Sequence, residues 1–312
     1  MAEPVALLAL VLDAAVGWPS ALYRLIGHPV GGFARIITAC TALWNRPENG
    51  DLLRRIGGVM TVLVLLAVAA GGGFLVEMLL THWLGTDAWL AVGMLGFPAL
   101  AQRSLFDHVH PVAAALEQGD LPAARRAVGL IVGRDTQALD ESGVSRAAIE
   151  SLAESFCDGV AAPLFWLLLL GLPGAWAYKA INTADSMIGH REEPWRLFGW
   201  AAAQTDDLLN LVPARIAGVL ICLAAPGGWQ TMWRDARKHA SPNAGWPEAA
   251  MAGALKVQLA GPIAYDGVMH EKAWIGSGGT VATTRSVRRA LAIYIRACLA
   301  LWIVAGACAW LH

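Results

Sequence analysis

The stretch IGGVMTVLVLLAVAAGGGFLVEMLL, residues 56–80, decides the class of protein. It exceeds the roughly 20 mostly apolar residues that an α-helix needs to cross a bilayer, and its one charged residue, Glu77, lies near its end. The whole chain of 312 residues agrees, because 56% of its residues are hydrophobic and only 15% are Asp, Glu, Lys or Arg. Soluble domains carry about 25% charged residues, so part of this surface is expected to face lipid.

Five further apolar segments extend this prediction along the chain. Segments 88–105 and 290–311 are predicted to cross the bilayer, and residues 4–16 form a shorter, partial membrane segment. Segments 159–178 and 208–229 are long enough but contain Pro and Gly, so we expect broken or re-entrant helices. No segment shows the alternation typical of a β-strand. The predicted fold is all-α, a single polytopic membrane domain with about three to five membrane segments and long helical cytosolic connections.

The distribution of Lys and Arg predicts the orientation. Segments 17–55, 103–158 and 230–289 hold five, five and eight of these residues, whereas the connection 81–87 holds none. Cytoplasmic loops are enriched in Lys and Arg, so we expect the three basic segments in the cytosol and 81–87 outside the cell membrane. The net charge of −1 excludes a broad electrostatic contact with nucleic acid.

A first cluster of candidate residues lies on a helix that we expect to have Ser145 as its N-cap. Glu150, Glu154 and Asp158 recur every four residues and would share one helical face. A divalent cation would relieve their repulsion, and Mg²⁺ is bound by one or two carboxylates together with substrate phosphates. A solvated acidic face would have the same spacing. Arg134, upstream, is either a phosphate ligand or part of a surface ion pair.

A second cluster lies between two apolar segments, over residues 177–215. Asp206 and Asn210 are one helical turn apart, so their oxygens can share a face, and Asp207 is adjacent. Such oxygen sets are typical of Mg²⁺-phosphate sites, although Asp and Asn that cap helices at a membrane boundary would look the same. His190 alone is more typical of a hydrogen-bonded interface histidine. The other candidates in this segment are Lys179, Asn182, Asp185 and Arg215.

The octapeptide SPNAGWPE forms a third cluster, with Ser241, Asn243 and Glu248 in a stretch that Pro and Gly constrain. Such constraint is typical of binding loops. A plain turn into a helix over 248–259 is the alternative. Near the N-terminus, His28 lies in the sequence GHPVGG and is a weaker candidate on its own.

The chain contains, in this order, the motifs LDxxxGxP at 12–19, HPV at 28–30, GRDT at 133–136, NTxDSMxGH at 182–190, DDxxNxxPAR at 206–215 and SPNAGWPEAAMAGAL at 241–255. With these motifs the sequence resembles the CobD/CbiB family of cobalamin biosynthesis, over about residues 10–280. Ser155 departs from the family pattern, which has Asn after the Ala-Glu pair.

The resemblance implies a membrane ligase that uses ATP and Mg²⁺. It would join the propionate carboxyl of adenosylcobyric acid to (R)-1-amino-2-propanol or its O-phosphate, giving adenosylcobinamide or its phosphate. The predicted catalytic residues are Asp185, Glu154 and Asp207. The predicted Mg²⁺ ligands are Glu150, Glu154, Asp158, Asp185, Asp206 and Asp207. The predicted substrate- and phosphate-binding residues are Arg134, Lys179, Asn182, His190, Asn210, Arg215, Ser241, Asn243, Glu248 and His28.

The resemblance also implies partners and an orientation. Because ATP is cytosolic, residues 182–215 are expected to face the cytosol. The expected partners are membrane lipid and other enzymes of the corrin pathway. The alternative function is a polytopic transporter or a non-catalytic signalling protein, since Arg215 and the Pro-broken segments would also suit a transporter. The lack of an inverted repeat and the many polar residues in the connections favour the enzyme.

Overall fold

The computed structural model describes residues 4–265, 268–270, 273–277 and 279–311. Helices joined by short turns make up most of these residues. In chain order the elements are α1 (Val5–Ala15), α2 (Ser20–Ile26), α3 (Pro29–Trp44), α4 (Asp51–Leu66), α5 (Gly72–Leu84), α6 (Ala88–Gly96), α7 (Gln102–Glu117), α8 (Leu121–Val128), α9 (Glu141–Phe156), α10 (Ala162–Ile188), α11 (Trp200–Leu209), α12 (Leu211–Ala224), α13 (Trp229–Asp235), α14 (Gly245–Leu255), β1 (Leu259–Ala260), β2 (Ile263–Tyr265), β3 (Val268–His270), β4 (Trp274–Ile275) and α15 (Thr284–Leu311).

The chain divides into two compact units. Unit 1 contains residues 1–101, 162–210 and 305–312, and unit 2 contains residues 102–161 and 211–304. Each unit is therefore assembled from segments that are distant in sequence. The assignment of the whole chain to one domain stays a prediction.

Within the part of the chain that the structure describes, three helical runs are long and apolar enough to cross a membrane, namely Asp51–Glu117, Glu141–Ile188 and Thr284–Trp310. Two pairs of shorter helices, α1 with α2 and α11 with α12, meet the same test only as bent pairs, which gives up to five spans. The prediction of an all-α polytopic membrane protein with three to five membrane segments, some of them broken, is confirmed.

In unit 1 the helix that contains the stretch 56–80 is nearly continuous. Helix α4 passes into α5 through a π-helical turn at Ala67–Gly71. Side chains from α3, α4, α10 and α11 form the core of unit 1, with Ile37, Leu65 and Ile181 fully buried, and Phe198 joins them from the turn before α11. The core therefore consists of aliphatic and aromatic side chains on facing helices, as helix packing requires.

Helix α10 breaks at Gly171, within the predicted broken segment 159–178. Gly171 has φ 65° and ψ −151°, a conformation that disfavours side chains with a Cβ. The break frees the backbone N–H of Leu172, which donates to Glu77 Oε2 over 2.8 Å. A Cβ added to Gly171 would lie 2.5 Å from that same oxygen. Glu77 thus supplies the hydrogen-bond acceptor that the interrupted helix lacks.

In unit 2, α14 is the central helix. All its residues, from Gly245 to Leu255, are buried, and it packs against α9, α12 and α13. Its Ala and Gly residues allow this close approach. After α14, β1 pairs with β4 and β2 pairs with β3, both antiparallel.

Two local predictions were wrong. Helix α9 begins at Glu141, because Asp140 accepts the Gly143 N–H over 2.7 Å and is the N-cap, whereas Ser145 is buried inside the helix. The helix predicted over 248–259 is α14, which starts earlier and stops where Lys256 turns left-handed, with φ 60°.

The segment predicted over 88–105 lies within the candidate span Asp51–Glu117, where a 3₁₀ turn at Phe97–Ala99 follows α6.

The helix break predicts a stability difference between two glycines. Gly171→Ala should destabilise the protein by about 1–3 kcal/mol, because a residue with a Cβ is strained at this combination of φ and ψ and the methyl group would displace Glu77. Gly72→Ala is the matched control, since Gly72 is helical and has no neighbouring atom within 4 Å of an added Cβ. Thermal unfolding in detergent measures both, and equal melting temperatures would contradict this account of the break.

Candidate functional site

Four buried side chains of α10 and α11 form a hydrogen-bonded network in unit 1. Asn182 Nδ2 donates to Asp206 Oδ1 over 3.3 Å, and Asn210 Nδ2 donates to Asp206 Oδ2 over 3.0 Å. Tyr178 OH donates to Asn210 Oδ1 over 3.1 Å. The prediction that Asp206 and Asn210 share a helical face is thus confirmed. Because both amide groups donate to Asp206, their main role is to position this carboxylate.

Two further carboxylates lie close to this network. Asp185 and Asp207 are near enough to act electrostatically on Asp206, and the Asp185 side chain packs against Gly189 at the end of α10. Mg²⁺ needs only one or two carboxylates when substrate phosphates and water complete its oxygen shell. Among the described residues, no group of three or more His, Cys, Asp or Glu side chains could hold a metal ion by itself. The assignment of these residues as Mg²⁺ ligands stays a prediction.

His28 lies elsewhere in unit 1, at the start of α3. Its Nδ1 accepts the Val30 N–H over 3.2 Å, and its ring packs edge-on against Trp18, with centroids 4.9 Å apart. It lines a cavity of about 430 Å³ together with Arg35. Burial, followed by the positive charge of Lys179, lowers the pKa of His28. Neutral His28 therefore caps α3, and Lys179 is close to it.

A polar cavity of about 200 Å³ lies within unit 2. Arg134 reaches it from the loop before α9, Glu150 and Glu154 from α9, and Glu248 from the first turn of α14. The sequence placed Arg134, Glu150 and Glu154 in the first cluster and Glu248 in the third, and the structure brings the two clusters together. The fifth ionisable residue of the lining, His239, was missed.

Glu150 is held by three partners. Its carboxylate forms a buried ion pair with Arg134, lies 3.8 Å from Arg146 Nε, and accepts the Ala260 N–H over 2.7 Å. Ala260 itself has φ 57°, so this hydrogen bond stabilises a left-handed residue next to the cavity. A Mg²⁺ ion at Glu150 would compete with two guanidinium groups. Asp158 lies in a π-helical turn and does not line the cavity.

His239 and Glu248 form a second pair in this cavity. His239 Nδ1 accepts the Ser241 N–H over 3.0 Å, and its Nε2 lies 3.6 Å from Glu248 Oε1. Ser241 Oγ in turn accepts the N–H groups of Asn243 and Ala244, each over 3.2 Å. Ser241 therefore shapes the turn that places His239 and Glu248 beside the cavity.

Arg215 and Asn243, which the sequence placed in different motifs, meet in unit 2. Arg215 Nη1 donates to Asn243 Oδ1 over 3.0 Å, and its guanidinium lies 4.8 Å from the centre of the Trp246 ring. Trp246 packs edge-on against Trp233. Sequence analysis gave Trp246 no role, although its place inside SPNAGWPE was the available signal. His190 is exposed just after α10 and joins none of these groups.

Comparison with known proteins identifies the family. A family model described as CobD/Cbib protein matches residues 6–294. The chain belongs to the CobD/Cbib family. It is 47% identical to "Cobalamin biosynthesis protein CobD" of Rhodobacter capsulatus, over 96% of this chain and 94% of the relative. A relative of the same name from Sinorhizobium sp is 48% identical, over 93% of this chain and 93% of the relative. Another, from Brucella suis biovar 1, is 44% identical, over 92% of this chain and 90% of the relative. No solved structure matches.

Membership of the CobD/Cbib family confirms the resemblance and assigns the chain to cobalamin biosynthesis, as an enzyme of that pathway with a corrinoid-type substrate. The family motifs fall in both units. HPV and NTxDSMxGH belong to unit 1, whereas GRDT and SPNAGWPE belong to unit 2. The motif at 206–215 is divided, since Asp206 and Asn210 belong to unit 1 and Arg215 to unit 2.

The partners of Glu150 predict that its main role is structural. Glu150→Gln should lower stability by about 3–5 kcal/mol, because it leaves the buried guanidinium of Arg134 without its counter-charge. Glu48→Gln, at an exposed turn residue, is the control and should unfold like the wild type. Thermal unfolding in detergent measures the effect. A Glu150 variant with wild-type stability and no activity would instead favour the Mg²⁺-ligand assignment.

The lowered pKa of His28 predicts a stability loss in acid. The unfolded chain binds a proton near pH 6.5, whereas the folded chain must lose the cap on Val30 to do so. The stability contributed by neutral His28 is therefore present above about pH 6.5 and lost as the pH falls from there through the lower folded-state pKa. His28→Asn keeps a capping oxygen without titrating. Melting temperatures at a series of pH values should show a weaker pH dependence for this variant, and equal slopes would contradict the cap.

Proposed function

We propose that this protein forms an amide bond between the propionate carboxyl of adenosylcobyric acid and (R)-1-amino-2-propanol or its O-phosphate, with ATP as the energy source. The observation that carries the proposal is the unit 2 cavity, where Arg134, Glu154 and Glu248 surround a space suited to a small polar substrate. Family membership supports a corrinoid substrate. Amide formation needs a base that takes a proton from the amine, and the carboxylates of the cavity are groups of that kind.

The chemistry divides into two steps. Transfer of the terminal phosphoryl group of ATP to the carboxylate releases ADP and gives an acyl phosphate. The amine nitrogen then attacks the acyl carbon, the C–O bond to phosphate breaks, and phosphate leaves with the electron pair. A carboxylate is a poor electrophile and an ammonium ion is not a nucleophile, so the enzyme must activate the first and deprotonate the second.

The residues of unit 1 suit the activation step. Asp185 and Asp207, beside the amide-held Asp206, would hold Mg²⁺, which when bound neutralises negative charge on the phosphates. Lys179, near His28, supplies a positive charge for a phosphate group. Asn182 and Asn210 donate hydrogen bonds to Asp206. In this proposal their main role is therefore to position a carboxylate of the metal site, and binding of the substrate carboxamides is secondary.

Supply of ATP requires that this chemistry take place on the cytosolic face of the cell membrane. The basic segments 17–55, 103–158 and 230–289 support that orientation. Contact with other corrin-pathway enzymes would allow the large product to pass directly to the next enzyme.

Nutritional rescue tests the proposal. A strain that lacks this gene should grow on cobinamide but not on cobyric acid, because only the former lies beyond the amide-forming step. A plasmid copy should restore growth on cobyric acid, and copies with Asp185→Asn or Asp207→Asn should lower turnover by on the order of 10²-fold or more. Asp87→Asn, at an exposed residue, is the matched control. Growth of the deletion strain on cobyric acid would reject the ligase in favour of a transporter or signalling protein, and full turnover by either variant would reject its role at the metal.

A further inference from the structure

The ring nitrogens of His239 have different partners, which defines its proton. Nδ1 accepts the Ser241 N–H over 3.0 Å and so carries a lone pair. In the neutral ring the proton is then on Nε2, which faces Glu248 Oε1 at 3.6 Å. In an imidazolium Nδ1 would also carry a proton, and that N–H would face the Ser241 N–H, which is a donor as well. His239 is thus arranged to donate toward Glu248 rather than to accept a proton.

Glu248 is held on a rigid element. It is only 3% exposed and lies in the first turn of α14, whose residues are all buried. Its carboxylate lines the cavity, so the backbone position and the His239 contact together fix the direction in which it meets a ligand. Precise placement of this kind is what a proton acceptor in catalysis needs.

The size and charge of the cavity favour a small cation. Its 200 Å³ correspond to about seven water molecules at about 30 Å³ each, which is enough for an amino alcohol. Three carboxylates, those of Glu150, Glu154 and Glu248, line the cavity together with the one guanidinium of Arg134. The lining residues therefore carry a net negative formal charge.

We propose that this cavity binds the amine substrate and that Glu248, oriented by His239, takes a proton from its ammonium group. The inference rests on the ligase function proposed above. One ammonium proton passes to Glu248, the C–N bond forms, and the departing phosphate carries away the electron pair and the second proton that nitrogen loses. Glu248 is a catalytic residue in this step, and His239 is a positioning residue.

Two nucleophiles separate this role from carboxyl activation. The full-length protein in detergent, with ATP, Mg²⁺ and adenosylcobyric acid, is supplied with aminopropanol or with hydroxylamine, which is largely unprotonated near neutral pH and needs no base. Glu248→Gln should lower amide formation with aminopropanol on the order of 10²-fold, while hydroxamate formation stays near the wild-type rate. Glu48→Gln should change neither rate.

Two substitutions of His239 test its role separately. His239→Asn keeps an acceptor for the Ser241 N–H but does not reach Glu248, whereas His239→Gln can donate to Glu248. We expect His239→Asn to lower kcat with aminopropanol about tenfold, because the polar contact that orients the Glu248 carboxylate is lost, at unchanged melting temperature. His239→Gln should recover most of that loss.

The outcomes are distinguishable. If the wild type forms neither amide nor hydroxamate, the ligase function fails and this inference fails with it. If the wild type forms both, the inference alone is overturned by a Glu248→Gln variant that loses both reactions equally or retains full turnover with aminopropanol. Equal kcat values for the Asn and Gln variants of His239 would reject its positioning role.

Discussion

Backbone groups inside a bilayer have no water to bond with, so each N–H and C=O must find a partner within the protein. This constraint explains why the apolar stretches of the chain are helical and why their breaks are accompanied by polar side chains. At Gly171 the helix stops, and the carboxylate of Glu77 accepts the Leu172 N–H that the break leaves over. A charged residue in an apolar stretch, which costs free energy in lipid, here replaces a missing backbone acceptor.

The same need for partners governs the polar residues of both units. Asp206 is held by two amide groups, and Glu150 by two guanidinium groups and a backbone N–H. Such contacts make these side chains rigid, because moving one would leave another buried group unpaired. Residues that look alike in a sequence motif thus have different tasks. Glu150 supports the cavity through its ion pair with Arg134, whereas Glu248 and His239 line the cavity and contact each other there.

The sequence predicted the class of fold, the family and four of the five ionisable residues that line the unit 2 cavity. It did so because hydrophobic length is a local property and because the motifs are long. Its errors were also local in origin. Asp140, and not Ser145, caps α9, since a cap is decided by which side chain reaches a free N–H. His239 was missed because a lone histidine in RKHASPN carries no periodic or spacing signal.

What the sequence by itself determined is therefore the helical membrane architecture and membership of the CobD/Cbib family. Only the tertiary structure decided which polar and charged side chains pair with one another. Arg134 and Glu150 are 16 residues apart, and Arg215 and Asn243 are 28 apart, so their pairing depends on how the helices of unit 2 pack. Hydrophobic patterning states which face of a helix is buried. It does not state which polar side chains meet once the faces are in contact.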